Sequence, residues 1–158
     1  MDETTIERRP TGVDFREIHD LLHRAYAYMD ERIDPPSSLH RMSPDDFARK
    51  ALEEDLIIAR KGNRIVACLF AAEHGAHLYV GKIAVDPDLQ GLGIGGKLMR
   101  AATQLARERG MIGLELQHRI VLDELARWYA SLGFRVVGEM AHDGYDEPTT
   151  VTLRKTLD

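Results

Sequence analysis

The chain has 158 residues, 44% hydrophobic and 30% charged, with a formal net charge of −5 at pH 7. This is the composition of one globular domain; its acidity argues against the basic face a nucleic-acid surface needs, and no apolar run approaches the ~20 residues of a membrane span. The single Cys68 excludes an internal disulfide and fits a reducing, cytoplasmic setting, and the acidic start Met1–Glu7 lacks the apolar centre of a secretory signal.

In chain order, Thr4–Arg8 reads as a short strand, and Val13–Met29 as a helix with an apolar stripe at Phe15, Ile18, Leu21, Leu22, Ala25 and Tyr26. Pro35-Pro36 breaks that pattern, and Ser43-Pro44 opens a second short helix with an acidic first turn. Leu56–Arg60 and Arg64–Ala71 flank Lys61-Gly62-Asn63, a hairpin signal. Leu78–Val85 is another strand, followed by a glycine-rich loop and a helix that stops at Gly110. Met111–Gln117 is a strand, Leu122–Leu132 a helix, and Phe134–Met140 and Thr149–Leu157 are closing strands around the turn-rich Ala141–Pro148. The order β-α-α-β-β-β-α-β-α-β-β predicts a mixed α/β (α+β) layer fold: a mostly antiparallel sheet flanked by helices, with one β-α-β unit.

That unit carries the most informative segment, Gln90-Gly91-Leu92-Gly93-Ile94-Gly95-Gly96-Lys97. Glycines let bare backbone N–H groups turn towards an anion, and the following helix offers its positive end. Gly91, Gly93 and Gly96 satisfy a dinucleotide fingerprint, but Asp86–Gln90 separate the first glycine from its strand, where that fingerprint allows no spacer. Gly91, Gly96 and Lys97 satisfy most of a P-loop, but Leu98 replaces the hydroxyl residue that would bind Mg²⁺.

A third pattern, Q-x-x-G-x-G at Gln90, Gly93 and Gly95, gains from its surroundings. Ile83-Ala84-Val85-Asp86-Pro87 precedes it, and Trp128-Tyr129-Ala130-Ser131-Leu132-Gly133-Phe134 follows at the end of the last helix. Together these resemble the signature of the GNAT superfamily of N-acetyltransferases. The Arg32–Ser38 and Ala141–Thr149 segments are similar to a bacterial subgroup of it. The resemblance implies a single N-acetyltransferase domain over 1–158, with the GNAT-like acyl-CoA N-acyltransferase fold and a splayed parallel strand pair. It also implies acetyl-CoA as cofactor and direct transfer to an amine in a ternary complex. The alternative is a non-catalytic acyl-CoA-binding or regulatory module of the same fold.

On this resemblance, Gln90, Gly91, Leu92, Gly93, Ile94, Gly95 and Gly96 hold the pyrophosphate, and Ile83, Ala84 and Val85 offer unpaired backbone to the pantetheine arm. Gly81 is a candidate for the bulge that bends this strand, or a simple strand glycine. Tyr129 matches the family tyrosine that donates a proton to the departing thiolate. The strand Leu78–Val85 lacks the family's frequent glutamate, which leaves Glu73, Glu115 and His118 as candidate bases beside a water relay. The family's frequent asparagine before the last helix is replaced by Leu122.

Acceptor recognition is expected from the irregular segments: Tyr26, Arg32, Asp34, Ser37 and Ser38 on one side, His142, Tyr145 and Thr149 on the other. Their mixture points to a small polar or zwitterionic amine, or a peptide end. No nucleic-acid or membrane partner is expected; a homodimer is a family expectation. Cys68 reads as core, the helical pair His19 and His23 as a solvated face rather than a metal site, and Arg100, Arg107 and Arg109 as an exposed face.

Overall fold

The computed structural model describes residues 3–157; Met1, Asp2 and Asp158, the ends of the expected domain and of its acidic start, lie outside the described residues. Among the described residues seven strands form one sheet: β1 (Thr4–Arg8), β2 (Asp55–Lys61), β3 (Arg64–His74), β4 (His77–Val85), β5 (Gly113–Arg119), β6 (Arg135–Met140) and β7 (Thr150–Thr156). Their spatial order is β1-β2-β3-β4-β5-β7-β6. Every neighbouring pair is antiparallel except β4 and β5, as the single β-α-β unit requires.

The helices that cover the sheet are α1 (Phe15–Tyr26), α2 (Pro44–Glu53), α3 (Ile94–Glu108) and α4 (Asp123–Ser131). Alternation along β2 divides the core. Leu56 and Ile58 face α1 and α2 with Ile18, Leu22 and Phe47, whereas Ile57 and Ala59 face α3 and α4 with Leu98, Ala102 and Tyr129. α2 starts in a capping box: Ser43 Oγ accepts from Asp46 N at 3.2 Å, and Asp46 Oδ2 accepts from Ser43 N at 2.7 Å.

Several boundaries shift from the sequence expectation, β3 running on to His74 and β5 to Arg119, and two shifts have a local cause in the backbone. The helix read as Val13–Met29 is capped by Asp14 and gives way after Tyr26 to one tight turn, Ala27–Met29. The strand after α3 starts at Gly113, not Met111. Met111 still belongs to the helix end, its N–H bonding Ala106 O at 2.9 Å while Gly110, at φ 69°, bonds Arg107 O at 3.1 Å. This pairing is a Schellman stop.

Candidate active site

The glycine loop is entered through an anchored acid. Asp86 is buried and accepts from Asp88 N at 2.9 Å, from Arg24 Nη2 of α1 at 2.8 Å and from Arg64 Nη2 of β3 at 3.1 Å. Burial alone would raise its carboxyl pKa; the hydrogen bonds and the two guanidinium charges outweigh it and hold the group below the usual range. Gly91 and Gly93 both sit at φ 84°, and Gly93 begins α3 with no side-chain cap. The first helical bond runs from Lys97 N to Gly93 O, so the amides of Ile94, Gly95 and Gly96 precede the helical ladder, at the mouth of a cleft.

Beside this helix start the sheet comes apart. β4 pairs with β5 at three positions, His77 with Gly113, Leu78 with Leu114 and Tyr79 with Glu115; beyond Tyr79 the strands diverge. A bulge accentuates the bend. Against β3, Cys68 pairs with Ala84 but Phe70 with Gly81, so β4 carries an extra residue at Lys82-Ile83, and Lys82 adopts φ 48°. The bulge expected at Gly81 therefore lies immediately after it.

The seam opens into a cavity of about 1220 Å³. Ile83, Ala84 and Val85 line one wall, and Gln90, Gly91 and Gly93–Gly96 line the mouth. Leu92 does not line it and is 65% exposed. Tyr129 of α4 lines the floor, and burial raises its phenol pKa, so it stays protonated at neutral pH. Trp128 beside it packs on Gly95: a Cβ there would lie 2.9 Å from Trp128 Cζ2.

The expected acceptor residues divide. Tyr26, Arg32, Ser37, Ser38, His142 and Tyr145 line the cavity, whereas Asp34 and Thr149 do not and instead brace residues that do. Asp34 accepts from Tyr145 Oη at 2.5 Å, joining the Pro35-Pro36 loop to the β6–β7 connection, and Thr149 Oγ1 accepts from His142 N at 3.0 Å. Arg32 is held by Glu124 of α4 at 2.6 Å.

The glutamates expected as bases do not line the cavity. Glu115 sits at the last paired position of the seam, buried, between His74 Nδ1 at 2.7 Å and Arg154 Nε at 2.8 Å. Burial would raise its pKa, but these two bonds win and lower it. Glu73 is exposed, 3.8 Å from Arg109. His118 does line the cavity, stacked on Tyr129 at 6.0 Å. Its Nδ1 lies 2.8 Å from Arg119 O, a carbonyl that can only accept, and its Nε2 is buried without a partner.

Four lining cations go unmarked by the sequence motifs, Arg41, Lys50, Lys82 and Arg119, and the last two both reach the Pro36–Ser38 loop. Lys82 projects from the bulge and donates to Ser38 Oγ at 2.7 Å; burial, then the nearby Lys50, Arg41 and Arg119, bring it down to about 8. Arg119 donates from Nη2 to Pro36 O at 3.2 Å, and its Nη1 is buried without a partner. The available signal is a lysine interrupting the apolar run Leu-Tyr-Val-Gly-Lys-Ile-Ala-Val.

Elsewhere, Cys68 is fully buried and burial pushes its thiol up to about 12, as a core residue should behave. His19 and His23 are half-buried rather than a fully solvated face: their rings lie 4.3 Å apart, His23 also meets His40 at 5.7 Å, and His19 Nε2 lies 3.1 Å from Met42 O. Arg100 and Arg107 are exposed as expected, but Arg109 pairs with buried Asp55 at 2.6 Å. Among the described residues no cluster of His, Cys, Asp or Glu could hold a metal, and no helix is long and apolar enough to cross a membrane.

Among the described residues the mixed sheet parts at its parallel seam beside an uncapped, glycine-led helix start, the splayed strand pair that the sequence resemblance implies. Residues 53–136 match the model of the acetyltransferase (GNAT) domain, more than half of the chain, and the chain belongs to that family. It is similar in fold to the ribosomal-protein-S18-alanine N-acetyltransferase of Escherichia coli, at 21% identity and TM-score 0.74 over 98% of this chain and 94% of that one. The PaiA N-acetyltransferase of Thermoplasma acidophilum in complex with coenzyme A aligns at 12% identity and TM-score 0.79, over 97% and 99%. A GNAT family acetyltransferase of Elizabethkingia anophelis with acetyl-CoA bound aligns at 20% and 0.71, over 99% and 100%. No curated protein matches the chain.

Proposed function

We propose that the chain is a single-domain, cytoplasmic N-acetyltransferase that moves an acetyl group from acetyl-CoA to a primary amine of a small polar molecule or peptide, by direct transfer in a ternary complex. The observation that carries this reading is the β4–β5 seam, which ends at Tyr79 and opens beside the uncapped start of α3. The amides of Ile94, Gly95 and Gly96 suit a pyrophosphate, and the unpaired edge of β4 at Ile83–Val85 suits the amides of a pantetheine arm. The reacting thioester then falls near Tyr129.

In the transfer, the amine nitrogen bonds the acetyl carbon as the carbon–sulfur bond breaks. Tyr129 gives its proton to the leaving sulfur and recovers one from water. With Glu115 and Glu73 held elsewhere, the amine loses its proton to water in the cleft; His118 Nε2 is sealed from solvent in this conformation. We also propose a homodimer through β6, which pairs only with β7 among the described residues and exposes Val136, Val137 and Met140.

Thiol release from acetyl-CoA over a panel of amines tests the activity. Turnover with at least one amine is expected; tight acetyl-CoA binding with no thiol release on any of them would favour the non-catalytic binding module.

A further inference from the structure

We propose that the acceptor end of the cleft is a carboxylate-recognition site built by Lys82 and Arg119, and that the acceptor is a small amine bearing a carboxylate. The substrate class deepens the acetyltransferase reading and rests on it; the carboxylate site itself does not.

Among the described residues charge balance leaves three lining cations without an acid, Lys82, Arg119 and Arg41. Of these only Arg119 has a guanidinium nitrogen buried without a partner, with Lys82 anchored through Ser38 on the same Pro36–Ser38 loop. Others around the cleft have acidic partners: Arg32 has Glu124, Lys50 has Glu54 and Arg24 has Asp86. Among the described residues neither Lys82 nor Arg119 forms an ion pair. Lys82 rests on the neutral hydroxyl of Ser38, and Arg119 on the carbonyl of Pro36. Arg119 Nη1 is covered and unpartnered, and a buried donor without an acceptor is costly unless a ligand completes it. The two also stand close enough for Arg119 to act on Lys82 electrostatically, with Arg41 and Lys50 adding to the positive field. An anion placed between Lys82 and Arg119 would relieve both the repulsion and the orphaned donor, and a guanidinium fork suits the two oxygens of a carboxylate.

The nearest acids do not fill this place. Asp34 acts on Arg119 only through space, with its Oδ1 engaged by Tyr145, and Asp143 lines the cavity from the exposed β6–β7 connection without an ion pair to either cation. The phosphates of a cofactor at the glycine loop are too far. Lys82 precedes Val85 by three residues, roughly 10 Å along a strand, and the loop lies beyond that. The acceptor is small because the Tyr145–Asp34 bond ties together the two loops that flank this end.

The test pairs α-amino acids with their amides and decarboxylated amines in the thiol-release assay. The free carboxylates should lead by about 30-fold in kcat/KM, the scale of a charged hydrogen bond. Lys82→Met and Arg119→Gln should each erase most of that lead through KM, with acetyl-CoA affinity unchanged. Equal rates for charged and uncharged partners overturn the proposal, as does a preference that survives both substitutions. Acidic peptides outperforming every free amino acid overturn the small-acceptor half. In parallel, NMR titration with N-acetylglycine and N-acetylglycinamide reads the site without turnover. Shifts at the Lys82 and Arg119 side chains with the carboxylate alone support the site even if no amine is acetylated, which would sink only the transferase reading. Equal shifts, or none, overturn the site.

Discussion

Gly95 and Trp128 lie so close that a methyl group on Gly95 would stand 2.9 Å from the indole Cζ2. The contact sets the first turn of α3 against α4, and so fixes where the Ile94–Gly96 amides point. Gly95→Ala must displace a rigid ring or tilt the helix start. We expect roughly a tenfold loss of coenzyme A affinity, within the usual cost of overpacking, measured by calorimetry. Unchanged affinity would show that the loop tolerates a shift of its helix.

Tyr129→Phe keeps the ring in the core and removes the proton. kcat should fall by about 100-fold with little change in acetyl-CoA affinity, the scale of one general acid. Equal turnover at every pH would remove Tyr129 from the chemistry.

Asp86 links the folded state to acid. Its pKa is lowered on folding, so its stabilisation is fully present above the unfolded value of about 3.9 and is lost as pH falls through the folded value. Asp86→Asn should cost about 1–3 kcal/mol at neutral pH and flatten the acid limb of a thermal-melt series. A variant whose melting point falls with acid as steeply as the wild type would contradict this.

Lys82, brought down to about 8, should make acceptor binding pH-dependent. Above that value the lysine is neutral and an acceptor carboxylate binds more weakly, so the KM of an amino acid should rise while that of the matching amine without a carboxylate does not. Ser38, Arg41, Lys50 and Arg119 are the groups that face it. Lys82→Arg should abolish this limb in kinetics run from pH ~6.5 to ~9.5, because a guanidinium stays charged throughout.

For the dimer, Val137→Lys on the β6 edge should yield monomer by light scattering while the fold persists. A dimer of unchanged stability would move the interface elsewhere.

The glycine loop is legible in the sequence because it is local. Gly91 and Gly93 need positive φ, and the uncapped helix start follows directly in the chain. The element order is legible from periodicity and from the stops at Gly62 and Gly110. Glu115 is not. Its alternation along β5 gives a face, but its partners His74 and Arg154 stand 41 and 39 positions away. It also lies where the seam is still closed, a point that only the register of β4 against β5 defines. Lys82 and Arg119 escape notice for a related reason. A charged residue in or after a strand reads as an edge until the bulge and the Pro36 carbonyl bring the two into one cavity.

The short β4–β5 pairing has a mechanical consequence. Among the described residues, three residue pairs of the sheet stitch β1–β4 to the β5–β7–β6 half. The rest of the joint is the core that α3 shares with both halves, so any molecule lodged across the seam acts as a second fastener beside it. Resistance to proteases should rise throughout the chain, not only at the cleft, once both fasteners are in place.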